Sequence, residues 1–219
     1  MKLSILLPIY NEERELAACL DRVLASIADE IIAVDDCSTD ATPQILARYH
    51  DPRLQVIRHV QNRGKGGGIQ TALEHATGDY CIIQDADMEY DPRDYAKLLE
   101  PIKQGRTPVV YGARDLSTQP LIGHVGNKLL TIATNVLFGT RLTDMETCYK
   151  VVPAALMREL RLQSRGFEIE PEITAKVAKR GIQISEVRVA YAPRPDKKLR
   201  RFRDGFRSLF ALIRYRFVE

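Results

Sequence analysis

Asp79-Tyr80-Cys81-Ile82-Ile83-Gln84-Asp85-Ala86-Asp87-Met88-Glu89-Tyr90-Asp91-Pro92 is the stretch on which the rest of the chain depends. Its apolar run, Tyr80 to Ile83, has the length of a buried strand, and it breaks into four carboxylates within seven residues before Asp91-Pro92 opens a helix. Asp85 and Asp87 stand one residue apart at the carboxyl end of that strand, so a slight turn aims both at one spot. Hard oxygen ligands of this kind suit Mg²⁺ or Mn²⁺, which bind through one or two carboxylates and complete their shell with water and phosphate oxygens. A solvated acidic turn is the plainer account of an isolated D-x-D. The strand-end position favours the metal, because in open α/β sheets ligands bind at that edge.

Outward from this strand, strands and helices alternate. Leu3–Leu7, Glu30–Val34, Leu54–Arg58 and Pro108–Tyr111 form strands. Between them lie a helix carrying Leu16, Leu20, Val23, Leu24 and Ile27, one over Thr42–Tyr49, one over Gly68–Ala76, and one carrying Leu98, Leu99 and Ile102. The βαβ rhythm predicts an α/β fold with a mostly parallel, doubly wound sheet. Past Gly112 the pattern changes to a helix over Val125–Leu137, a strand over Thr147–Val152, a helix over Pro171–Lys179 and a strand over Ile182–Tyr191. This half is expected to build the other wall of a cleft.

Composition sets the outer limits. With 219 residues, 45% hydrophobic and 28% charged, the chain has one sizeable core, assigned to 1–193, with 194–219 as an appendage. No apolar run approaches the roughly 18 residues of a bilayer span, the N-terminus lacks the make-up of a signal peptide, and a cytoplasmic address is expected. Cys19, Cys37, Cys81 and Cys148 are too scattered for a zinc site or disulfide framework. The appendage holds nine Lys/Arg against three acids, +6, where everything before it is −3. An anionic partner is expected there.

Three further strand ends carry polar sets. Pro8-Ile9-Tyr10-Asn11-Glu12 follows the first strand, with Asn11 as a helix cap in the simplest account. Val34-Asp35-Asp36-Cys37-Ser38-Thr39-Asp40 ends the second and offers acceptors to a nucleobase or ribose. Asn62-Arg63-Gly64-Lys65-Gly66-Gly67-Gly68 precedes a helix, and its glycines and cations suit a diphosphate as well as a flexible loop.

Together these motifs resemble the family 2 nucleotide-sugar glycosyltransferases, and most of all their polyprenyl-phosphate branch, the dolichyl-phosphate mannose synthases and β-glucosyltransferases. The resemblance implies a Rossmann-like GT-A fold over essentially the whole chain. It implies a nucleotide-sugar site using Pro8, Tyr10, Glu12, Val34, Asp36, Lys65, Asp85, Ala86, Arg194 and Lys198, and a metal set of Asp85, Asp87 and Glu89 for Mg²⁺ or Mn²⁺. Asp87 and Arg114 are implied as catalytic, with Arg114, His124 and Asn127 near the acceptor phosphate. The implied reaction is inverting transfer of a hexose from UDP-glucose or GDP-mannose to polyprenyl phosphate. The alternative acceptor is a sugar hydroxyl, for which Asp144 or Glu146 would serve as base.

The tail agrees with a lipid substrate. Phe202, Phe206, Leu209, Phe210, Ile213 and Phe217 share a helical face rimmed by arginines, as in a helix lying in the membrane interface. Packing on the domain, or on a second copy in a homo-oligomer, is equally consistent. Nucleic acid is not expected as a partner, and peripheral association with the cytoplasmic face of a membrane is.

Overall fold

The computed structural model describes residues 1–115, 117, 121–194 and 201–218. Seven strands form one sheet: β1 (Leu3–Ile9), β2 (Glu30–Asp35), β3 (Leu54–Arg58), β4 (Tyr80–Ile83), β5 (Val109–Arg114), β6 (Lys150–Pro153) and β7 (Ile184–Val189). Their order is β3-β2-β1-β4-β6-β5-β7. β1 pairs in parallel with β2 and β4, and β2 with β3. Near-continuous apolar runs are what strands covered on both faces require, and Leu3 to Leu7, Ile31 to Val34 and Cys81 to Ile83 are buried accordingly.

The helices are α1 (Leu16–Leu24), α2 (Thr42–Leu46), α3 (Gly64–His75), α4 (Tyr95–Lys103), α5 (Leu121–Phe138), α6 (Ala154–Glu159), α7 (Ile169–Lys179) and α8 (Arg201–Phe217). A short 3-10 turn, Pro92–Asp94, precedes α4, and the Asp91 side chain caps it by accepting the Arg93 amide. All the strands expected from the sequence are present, and α6 is the helix its periodicity did not show.

Two features depart from sequence expectation. β6 runs antiparallel to both its neighbours, β4 and β5. The chain leaves β5 at Arg114 and, after α5, returns to the same sheet edge, where Asp144 pairs with that arginine. It therefore enters β6 from the carboxyl edge and can only run downward. β7 then pairs with β5 in parallel and delivers Tyr191–Arg194 back to this edge.

The second departure is α3, which begins at Gly64 instead of Gly68 and takes in the whole glycine run despite its poor helix propensity. Close packing is the reason. A Cβ on Gly66 would sit 2.1 Å from the Ser164 carbonyl oxygen, one on Gly64 2.3 Å from that of Arg165, and one on Gly68 2.9 Å from the Pro8 Cβ. The glycines let α3 lie against the 164–166 loop and the end of β1.

Candidate active site

The carboxyl ends of β1, β2, β4, β5 and β7 meet at one edge. In register, Ile83 lies opposite Leu6, so Asp85 leaves the sheet level with Pro8. Buried Gln84 secures the departure: its Oε1 accepts the Tyr95 and Tyr149 hydroxyls, both at 2.6 Å, and its Nε2 donates to the Asp85 carbonyl at 2.8 Å. Asn11, Cys37 and Met88 adopt φ of 52°, 64° and 62° just past β1, β2 and β4. Left-handed non-glycine residues cost on the order of 1 kcal/mol or more and gather where surrounding structure holds a site in shape. Asn11 does not cap α1 but ties two strand ends together. Its amide donates to Ser38 Oγ, and its Oδ1 accepts the Thr39 amide.

Lys65 reaches from α3 to the Asp85 carboxylate, 2.8 and 2.9 Å from its two oxygens, and stands 3.1 Å from Glu170 Oε1. Burial acts to lower the Lys65 ammonium, but the Asp85 and Glu170 charges outweigh it and hold it well above the ordinary lysine range. Beyond Glu170 lies Lys150, wholly inaccessible, whose Nζ donates to Glu170 Oε2 at 2.6 Å and to the carbonyls of Met145 and Thr147. A continuous alternation, Asp85-Lys65-Glu170-Lys150, thus links the acidic strand end to the start of β6.

Asp87 has no such cation at hand. Burial, then the neighbouring Asp85 and Glu89 charges, push its carboxyl up to about 7. Glu89 is otherwise engaged: its Oε2 accepts the Tyr191 hydroxyl at 2.9 Å, its Oε1 the Arg194 amide at 3.0 Å, and its carbonyl the Ala192 amide. Among the described residues no group of three or more His, Cys, Asp or Glu surrounds a metal position. Of the three carboxylates expected as a metal set, Asp85 and Glu89 both lie close enough to Asp87 to act on its charge, and Glu89 also holds down the segment after β7. What is present, a buried carboxylate repelled by its neighbours, fits a divalent cation held by Asp87 and Asp85 with the rest of its shell from outside the protein.

The remaining nucleotide-side residues fall as follows. Glu12 binds Arg194 through paired contacts of 3.1 and 3.2 Å, joining the β1 end to the β7 end. Tyr10 is exposed, Pro8 half-buried, and Val34 and Ala86 are buried, so Val34 faces the site only through its backbone. Asp36 is fully committed to the fold. Its carboxylate accepts the Arg63 and Gly64 amides at 2.7 Å each and His59 Nδ1 at 2.6 Å, and His59 in turn contacts Thr71 Oγ1. The Gly66 amide donates to the Arg165 carbonyl, so the Arg63, Gly64 and Gly66 amides at the start of α3 all bond within the protein. Lys198 lies outside the described residues.

Among the residues expected near the acceptor, Arg114 forms a two-pronged pair with Asp144 at 2.6 and 2.7 Å and lies above the Tyr191 ring at 5.1 Å. Asn127 donates to the same Asp144 at 3.2 Å, while His124 stands half-buried at the start of α5. Glu146 lies between these two networks. Among the described residues its Oε1 has no hydrogen-bond partner, and burial raises its carboxyl to about 7 against the opposing pull of Lys150. Since the folded value exceeds the ordinary 4.5, this group's stabilisation is complete below pH 4.5 and is lost as pH rises through about 7. Glu146→Gln is expected to remove that loss, gaining on the order of 2 kcal/mol over wild type at pH 8 and little at pH 5. Paired thermal melts at the two pH values check this, and a constant difference between them would contradict it.

Lys150, Glu170 and Gln84 were not picked out as site residues by sequence reasoning. A lysine opening an apolar strand, Lys150-Val151-Val152, was the available signal. A separate cleft of about 490 Å³ lies beneath α8, away from the strand ends. Its cations support helix ends: Lys176 donates to the Arg161 carbonyl and Lys179 to that of Tyr215.

Comparison with known proteins agrees with this arrangement. The low-salt glycan biosynthesis hexosyltransferase Agl6 of Haloferax volcanii is 32% identical over 223 residues, covering 96% of this chain, which spans only 53% of that relative's length. The UDP-N-acetylglucosamine–dolichyl-phosphate N-acetylglucosaminyltransferase of Methanococcus voltae is 28% identical over 207 residues, covering 84% of this chain and 82% of its own. Glucosyl-3-phosphoglycerate synthase from Mycobacterium tuberculosis, solved with Mn²⁺, UDP-glucose and phosphoglyceric acid, superposes with a TM-score of 0.79 at 19% identity, over 98% of this chain and 79% of that one. That likeness bears out the GT-A-like fold. Residues 4–145, from β1 through the Asp85–Asp87 strand end to the acidic turn beside Arg114, match Glycosyl transferase family 2, and the chain belongs to that family.

Proposed function

We propose that this enzyme transfers a hexose, with inversion, from a nucleotide sugar to the phosphate of a polyprenyl lipid at the cytoplasmic face of a membrane. One observation carries the reading: Asp85 and Asp87 stand at the end of β4 with Lys65 on one flank and Arg194 on the other, a set that suits a nucleotide diphosphate. Asp87 and Asp85 would hold the divalent cation. When bound, that Mg²⁺ or Mn²⁺ supplies Lewis-acid charge to the departing diphosphate. Lys65 and Arg194 would add positive charge from the two flanks, and Lys198, outside the described residues, is assigned to the same task by the sequence resemblance alone. Tyr10, exposed past β1, offers a stacking surface beside Pro8, and the backbone at Val34 offers polar contacts to the base. Asp36 acts on the nucleotide indirectly, by fixing where α3 presents Lys65.

No strong base is required for this acceptor. A phosphate monoester has a second pKa near 6, so at neutral pH its oxygen is already largely ionised and attacks the anomeric carbon directly. Arg114, His124 and Asn127 would receive that anion, a reading supported by the Asp144 carboxylate that ties the first to the third. The Methanococcus relative's named acceptor, dolichyl phosphate, supports this choice. Glu146 favours a second reading. A half-buried carboxyl near 7 with an unpartnered oxygen suits a general base for a sugar hydroxyl.

The two readings separate in one assay. The protein is incubated with Mn²⁺, polyprenyl phosphate and either radiolabelled UDP-glucose or GDP-mannose, and label is counted in the organic phase. Lipid-phase label from one donor is expected. Empty organic phases with sugar transferred to a saccharide instead would overturn the lipid acceptor and make Glu146 the residue to replace.

A further inference from the structure

We infer that α5 and α8 together form a docking face for an anionic lipid bilayer, with α5 as the half nearer the reacting centre. The inference takes its purpose from the lipid-acceptor reading, but lipid binding can be measured without any acceptor present.

The two helices pack against each other, and Phe138 of α5 meets Ala211 and Tyr215 of α8. Their inner faces are spoken for. Asn127, Thr131 and Thr134 of α5 are buried, as are Ser208, Ala211, Leu212 and Tyr215 of α8. Each helix nevertheless carries a second apolar stripe on its outer side. Val125, Leu129, Ile132 and Val136 recur at i, i+4, i+7 and i+11 along α5, and Phe206, Phe210, Ile213 and Phe217 repeat the same spacing along α8. All eight are between 45% and 78% exposed. The three phenylalanines alone leave roughly 300–500 Å² in water, a size at which an apolar patch marks an interaction surface.

Charge decides among occupants. The two helices hold six Lys/Arg, namely Lys128, Arg201, Arg203, Arg207, Arg214 and Arg216, against the single acid Asp204. Lys128, Arg207 and Arg216 are exposed alongside the stripes. Aromatic anchors flanked by long cations, whose stems lie along apolar surface while their heads stay wet, match the boundary between acyl chains and anionic headgroups. A second copy fits less well, because a two-fold contact would set this cationic face against itself. Among the described residues no helix is long and apolar enough to cross a membrane, so the contact is one of lying on the bilayer.

Placement gives the contact a consequence. Asn127, on the inner side of α5, holds Asp144, which holds Arg114. With a helix about 10–12 Å across, the acceptor-side network then sits roughly one helix width from the lipid surface.

Flotation of the full chain with vesicles tests this, using equal parts phosphatidylcholine and phosphatidylglycerol against phosphatidylcholine alone. Wild type should float with the anionic vesicles only. Leu129→Gln/Val136→Gln on α5 and Phe206→Gln/Phe210→Gln on α8 should each lower partitioning about tenfold or more, with melting temperature and UDP or GDP binding unchanged. An α5 variant that floats like wild type would remove α5 from the face. A wild type indifferent to anionic lipid would overturn the proposal, as would a wild-type dimer that the α5 variant converts to monomer. If flotation behaves as expected while no lipid-phase product forms, the docking face stands and the acceptor assignment fails.

Discussion

Asp87→Ala is expected to lower sugar transfer by about 10³-fold while leaving the fold at least as stable as wild type. The loss follows from position. In the proposed reading Asp87, raised by burial and by the Asp85 and Glu89 charges, would hold the divalent cation, and positive charge set against a departing diphosphate is worth on the order of 10²–10³ per interaction. Most buried residues resist truncation, but this one is repelled by Asp85 and Glu89, and its removal relieves that repulsion. Initial rates with labelled donor, read beside a thermal melt, separate the two effects. Transfer within tenfold of wild type would remove Asp87 from the machinery. A collapsed melting temperature would instead make it a structural residue.

Glu170→Ala should act in the opposite way, first on stability. Glu170 stands between two lysines, 2.6 Å from Lys150 and 3.1 Å from Lys65, and Lys150 is wholly inaccessible. Removing the carboxylate takes from the buried ammonium its hydrogen-bonded counter-charge and leaves it hydrogen-bonded to the Met145 and Thr147 carbonyls, at a cost of about 3–5 kcal/mol. For a chain of this size that lowers the melting temperature by about 10 °C or more. Lys150→Met/Glu170→Leu should recover most of the loss, since an apolar pair of similar volume avoids the desolvation that the ions suffer. Lys65 then keeps only Asp85 as partner, so the double variant also shows whether Glu170 positions Lys65. If it does, kcat/KM for the donor falls even where stability is restored. An unchanged melting temperature in Glu170→Ala would show that Lys150 finds other compensation.

The alternation of strands and helices near the N-terminus and the acidic strand end were legible because both are local. Apolar runs such as Ile31 to Val34 are buried on both faces, which makes them continuous in sequence, and a ligand edge shows itself where such a run breaks into carboxylates. Residue type also led to the expectation of Lys65 near phosphate, and the family resemblance to that of Arg194. What these side chains do in the fold was not legible. Glu12 and Arg194 are 182 residues apart, and only the return of β7 to the site edge lets them pair. Glu89 fits a metal motif by spacing, and the structure adds that the Tyr191 hydroxyl and the Arg194 amide each donate to one of its oxygens.

The glycine run shows the limit most clearly. Gly64 to Gly68 read as a phosphate loop or a flexible one, but it became the first turns of α3, because the Ser164 and Arg165 carbonyls and the Pro8 ring press where side chains would be. Backbone pattern and residue chemistry, set by short-range sterics and the burial of apolar runs, were enough to predict an α/β sheet with a carboxylate-rich ligand edge. The direction of β6, the sharing of Glu170 between two lysines and the commitment of Asp36 to α3 depend on which distant segments end up in contact. Only the packed structure selects those contacts, because each requires a desolvated charge to find its partner across the fold.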